Sequence, residues 1–163
     1  MKKIKIIFIL FFLIFVTNCG YEPIYSKKNI QSNELSLIQV KNIKDRPGQI
    51  LRNNLIDIFN SADQKKRPRY LLEVNLTEGI QEIGYRKDLS ATRSNLSITA
   101  DYRLKNIKKE EIIYKGQALA ISSYDIVESL YATMIAEKDA RNKGLKIITD
   151  TIATDLAIFF NNK

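Results

Sequence analysis

An α+β fold, with two helices packed on one face of a four-stranded mixed sheet in the order β-α-β-β-β-α, follows from three patterns in this 163-residue chain. Apolar and polar residues alternate from Tyr70 to Thr77 and again from Asn95 to Leu104, the period of strands with one buried face. Apolar residues recur every three or four positions over 49–62 and 136–160, the period of helices that lay a stripe on a core. A run rich in branched residues, Leu35 to Ile43, precedes the first helix and supplies the remaining strand.

The first strand, LSLIQVKNI at 35–43, ends at Asp45, Pro47 and Gly48, which break a strand and can start a helix. Asp45 is placed to cap that helix, and Leu51, Leu55, Ile58, Phe59 and Ala62 form its stripe. KKRPR at 65–69 reads as a loop. In the second strand Tyr70, Leu72, Val74 and Leu76 share one face, while Leu71, Glu73, Asn75 and Thr77 share the other. Gly79, Gly84 and the charged Arg86, Lys87 and Asp88 mark its far end. The third strand turns Leu96, Ile98, Ala100, Tyr102 and Leu104 inward and Asn95, Ser97, Thr99, Asp101 and Arg103 outward. Past a polar turn over 105–111, the strand from Ile112 to Ser122 carries Tyr114, Ala118 and Ala120 on one face. Short connections make these three strands an antiparallel meander. The last helix runs from about Ala136 to Phe160, its stripe being Leu145, Ile148, Ile152, Leu156 and Phe159. That stripe is wide enough to cover a sheet face, so the helices pack side by side on one face. The opposite face, with Asn75, Thr77, Asn95, Ser97 and Thr99, stays polar and wet.

The N-terminus belongs to export rather than to the fold. Lys2, Lys3 and Lys5 precede eleven apolar residues, Ile6 to Val16, the pattern of a secretory signal peptide. Crossing a bilayer takes roughly 20 apolar helical residues, and Thr17, Asn18 and Cys19 end the run too soon. Cys19 is the single cysteine. Alone it cannot form an intramolecular disulfide, and a nucleophilic role would want an activating base, usually histidine, which the chain lacks. The stretch resembles a bacterial lipoprotein lipobox, with Val16 and Thr17 suiting the positions before the cysteine and Asn18 standing where Gly, Ala or Ser is usual. The expected organisation is a signal peptide over 1–18, a lipidated tether over 19–34 beginning at Cys19, and one α+β domain over 35–163. Gly20 rather than Asp after the cysteine resembles an outer-membrane address.

The whole chain carries a formal charge of +8; without residues 1–18 it keeps 23 basic against 18 acidic side chains, or +5. Such a surface suits an acidic partner, whether nucleic acid, anionic lipid or an acidic protein face. Export and tethering make nucleic acid the least fitting of these. An enzyme is disfavoured by the inventory: there is no histidine for a Ser or Cys hydrolase, no histidine or cysteine cluster for a metal, and no glycine-rich phosphate loop. No cofactor and no metal are expected.

The ordered set CGYEPIY, RPGQILRNNLID, ATRSNLSITADYRL and YATMIAEKDARNKGLKIITDTIATDLAIFF resembles the LPS-assembly lipoprotein LptE family, in particular its alphaproteobacterial branch. The resemblance covers nearly the whole chain after the signal, and no single motif carries it. It implies two helices on a four-stranded sheet and a protein anchored by lipid on the periplasmic side of the outer membrane. There it would plug the β-barrel LptD and support the last step of lipopolysaccharide transport. A small lipoprotein serving another envelope complex, such as barrel insertion or a secretion pilot, is the alternative.

Lipopolysaccharide carries phosphates, and Arg and Lys pair with phosphate. Arg86, Lys87 and Arg93 lie within eight positions at the connection of the second and third strands, and are the candidate lipopolysaccharide contacts. The same three side chains also fit a solvated loop of a basic protein. KKRPR at 65–69 fits a solvated loop or attraction to an anionic membrane surface. Glu137 and Arg141 stand at i,i+4 on the last helix, where an ion pair is the simplest account. Arg46, Gln49 and Arg52, near the start of the first helix, fit either a surface or a contact.

Overall fold

The computed structural model describes residues 34–59, 67–85 and 91–162. Residues 1–33, with the signal segment and Cys19, lie outside the described residues, as do Ala62, Arg86 and Lys87. The sheet is open and four-stranded, in the order β1 (Ile38–Val40), β2 (Tyr70–Tyr85), β3 (Ala91–Asn106) and β4 (Glu111–Asp125). β1 runs parallel to β2, and β2, β3 and β4 form an antiparallel meander. Two helices, α1 (Asp45–Phe59) and α2 (Leu130–Asn161), complete the order β-α-β-β-β-α. The expected architecture is therefore found.

The element bounds differ from expectation in informative ways. β1 is three residues long rather than nine, because only Ile38, Gln39 and Val40 pair, with Tyr70, Leu71 and Leu72. Leu35 and Ile43 are buried without being part of the ladder, which is why the apolar run reads longer than the strand. α1 starts at Asp45 and not at Gln49. Asp45 has φ 65°, a left-handed conformation that Asp tolerates better than most residues. α2 starts six residues before Ala136, because the Ser129 side chain accepts a hydrogen bond from the Ala132 amide at 3.3 Å and caps the first turn.

The even-numbered side chains of β2 and β3 make the inner face. Leu72, Leu96, Ile98, Ala100 and Leu104 are fully buried there, with Ala118 and Ala120 of β4. Leu51 and Leu55 of α1 and Leu145, Ile148, Ile152 and Leu156 of α2 close over them, also fully buried. Phe160, rather than Phe159, ends the buried stripe of α2. Phe159 lies between Tyr114 and Phe160 in a chain of ring contacts that reaches Tyr70, with centroids 5.1, 5.2 and 5.1 Å apart. Thr149, buried among these aliphatic residues, satisfies its hydroxyl by donating to the Leu145 carbonyl at 2.7 Å.

One polar contact crosses this core. The Tyr102 hydroxyl on β3 donates to the Asp155 carboxylate on α2, and burial, followed by that bond to an anion, pushes the phenol far above its usual range. Tyr102 can lie flat over β4 because its cross-strand partner is Gly116; a Cβ there would fall onto the Tyr102 ring and hydroxyl.

Candidate functional site

The outer face of the sheet carries no layer of secondary structure, so its side chains are available for contact. Odd-numbered residues of β2, β3 and β4 meet there in register. Glu73 accepts from Lys41 Nζ at 2.6 Å and from Arg103 Nε at 2.5 Å. These two hydrogen-bonded cations hold its carboxyl below the usual carboxylate range. The neighbouring registers repeat the pattern: Gln117 donates to Asp101 at 2.7 Å, Ser123 to Asn95 at 2.6 Å, and Ser97 to the Gly79 carbonyl at 3.1 Å. The expected polar face is thus present and stitched laterally by its own side chains. Two apolar residues interrupt it, Leu119 and Ile121 of β4, which are 57% and 60% exposed.

Where β1 stops, β2 runs on beside an open groove of about 1090 Å³. Lys41, Lys44, Arg103 and Lys115 line it, but so do Asp45, Glu73, Glu78 and Asp101. Balanced cations and anions of this kind give no preference for a phosphorylated ligand.

The cationic cluster expected at the β2–β3 connection is described only in part. Arg93 sits near the start of β3 and its Nε donates to Asp125 of β4 at 3.0 Å, both side chains being more than half exposed. Ahead of it, Gly84 takes φ 71° and is skipped by the ladder, since Ile83 pairs with Arg93 and Tyr85 with Ala91. A glycine is suited to that left-handed bulge. Arg67 and Arg69 of the 65–69 loop are exposed, and Arg69 meets Glu34 at 3.4 Å. Arg46 and Gln49 are exposed; Arg52 is half-buried and its Nε has no hydrogen-bond partner among the described residues.

An apolar surface that the sequence reading missed lies beside Arg93. The Ile126 amide bonds the Thr92 carbonyl at 2.9 Å, so the β4–α2 connection is fastened to the hairpin end of β3. From there Val127, Leu130, Tyr131, Met134 and Ile135 are exposed, Leu130 at 75%. Leu130 and Met134 continue the stripe of Leu145 and Ile148 at spacings of three and four, yet nothing covers them among the described residues. The cause is a length mismatch. α2 has 32 residues, about 48 Å, and α1 has 15, about 22 Å. The signal was available in the sequence as YATMI before Ala136, behind a capping serine.

Behind this end, Arg141 donates to Glu137 at 2.7 Å, the expected i,i+4 pair, and also reaches Glu78 of β2 at 3.1 Å. Burial opposes the guanidinium charge, but the two carboxylates outweigh it and raise its pKa. Among the described residues no group of three or more His, Cys, Asp or Glu could hold a metal ion, and no helix is long and apolar enough to cross a membrane.

Residues 34–158 match the family described as LptE, lipopolysaccharide-assembly. The chain belongs to the LptE family. No curated protein matches the sequence. Among solved structures, a lipoprotein of Caulobacter crescentus superposes with a TM-score of 0.66 at 23% identity, covering 82% of this chain and 97% of that one. The rare lipoprotein B of Shewanella oneidensis gives 0.59 at 9% identity, over 77% and 95% of the two chains. A minor lipoprotein of Acinetobacter baumannii gives 0.55 at 14% identity, over 74% and 88%. At these identities the likeness is one of fold, and the two helices on a meander described above are the LptE architecture.

Proposed function

We propose that this LptE-family protein is a non-catalytic outer-membrane lipoprotein, moored on the periplasmic side through an acylated Cys19, that plugs the LptD barrel and supports delivery of lipopolysaccharide to the surface. The outer sheet face suits a plug: it is an ordered polar surface whose hydrogen bonds run laterally between its own side chains, and the lumen of an outer-membrane barrel is polar. Co-purification in mild detergent tests the partner. LptD should remain bound to the full-length protein through solubilisation, and a protein recovered without a large barrel would overturn the reading. Mass spectrometry of the mature N-terminus tests the anchor: an acylated Cys19 is expected, and an intact Met1 would remove it.

The observation that carries the lipopolysaccharide contact is the exposed apolar start of α2 fastened beside Arg93. A phosphorylated glycolipid with acyl chains presents anionic and apolar groups together, and this end of the domain offers an arginine next to Leu130, Tyr131 and Met134. Arg86 and Lys87 precede Arg93 in the sequence and join the same proposed contact. Changing all three to Gln should weaken binding of purified protein to lipopolysaccharide roughly tenfold or more, each charge-assisted phosphate contact being worth about 1.5 kcal/mol or above. Unchanged affinity would remove this part of the proposal.

A further inference from the structure

We propose that the free outer edge of β4 is a self-pairing edge, joining two copies of this chain antiparallel about a two-fold axis through Ala120. β4 is a terminal strand of 15 residues, and its ladder partner is β3 alone among the described residues. Its outward backbone amides and carbonyls are thus open to an added strand. From Gln117 to Tyr124 it contains no charge, proline or glycine, the devices that ordinarily blunt such an edge.

What selects a second copy as the occupant is the complementarity of β4 with itself. On the outer face, from Lys115 to Asp125, the only charges are those two end residues, equidistant from Ala120. With Ala120 at the axis, Lys115 of each copy lies opposite Asp125 of the other, Gln117 opposite Ser123, and Leu119 opposite Ile121. The two exposed apolar residues of each copy then cover those of the other, and both ion pairs extend the contact of Asp125 with Arg93. Opposite-charge and apolar cross-strand pairs are the stabilising units of an antiparallel ladder. Moving the axis one residue either way sets Lys115 opposite Ser123 or Val127 and loses both ion pairs. β2 offers no such match. Its free stretch beyond Leu72 carries Glu73, Glu78 and Glu82 and is kinked at Gly84, so self-pairing would bring acids together. The interface is isologous, and it produces an eight-stranded sheet.

The test uses two differently tagged copies of the full-length chain, solubilised separately in mild detergent and mixed. Wild-type copies should capture one another. Lys115→Asp should reduce that capture roughly tenfold by setting like charges opposite, and Asp125→Lys should do the same. Mixing the Lys115→Asp copy with the Asp125→Lys copy restores both ion pairs and should restore capture, which also shows that each variant is folded. In addition, a Leu119→Cys copy should form a disulfide with an Ile121→Cys copy, because directly opposed residues lie about 4.5–5.5 Å apart at Cα. Wild-type copies that never capture one another overturn the proposal. So does capture that survives both charge variants, as association through the apolar N-terminal segment would.

Discussion

Glu73 shows how a single exposed residue can make stability depend on pH. Its two cationic partners lower its pKa below the ordinary 4.5, so its contribution is complete above pH 4.5 and disappears as pH falls through the folded value. Lys41 and Arg103 are more than half exposed, which limits the effect to about 1 kcal/mol. Urea midpoints measured between pH 5 and 3 should therefore fall less steeply for Glu73→Gln than for wild type. Tyr102 makes a larger demand. Tyr102→Phe leaves the Asp155 carboxylate without its donor and should cost about 1–3 kcal/mol. Gly116→Ala should cost a similar amount by overpacking, and less in a Tyr102→Leu background, where the ring that the new methyl meets is gone. The alternation of β3 marked Tyr102 as inward-facing. Neither its acceptor 53 positions away nor the reason for glycine at 116 is written in any local pattern, since both arise from α2 crossing the meander.

α2 is the element whose limits matter most. Ser129→Ala removes the cap and should cost about 1 kcal/mol, with faster hydrogen exchange in the first turn and little change beyond it. Arg141 ties the same helix to β2. A double-mutant cycle between Arg141→Ala and Glu78→Gln should return a coupling of about 1 kcal/mol, because both side chains are three-quarters buried rather than fully solvated. The i,i+4 contact with Glu137 was legible from spacing alone, whereas the contact with Glu78, 63 positions away, was not. The shortness of β1 belongs to the same lesson. Hydrophobicity reports that Leu35 and Ile43 are buried, but only the ladder decides which residues of the run are strand.

For the whole molecule, the core is shared by every element, so its loss is global. Leu51→Ala should cost about 2–5 kcal/mol and shift the single unfolding transition without splitting it, because Leu51 is fully buried beneath both helices and the sheet. The uncovered surfaces follow from mismatched lengths. A three-residue β1 cannot cap the sixteen residues of β2, and a short α1 cannot shield the start of a long α2. One sheet face, two strand edges and one helix end are therefore left for contact, which is what a protein that works inside a larger assembly requires.

By itself the sequence determined the order of elements, the inner and outer face of every strand, and the absence of histidine that argues against most hydrolytic chemistry. These are local properties, because a period of two or of 3.6 records how each residue meets the core whatever lies across from it. Tertiary structure alone decided the partners of Tyr102 and Arg141, the bulge at Gly84, the stitched polar face and the exposed start of α2. Each of those depends on register and on the relative lengths of elements distant in the chain, and neither quantity exists until the strands are paired.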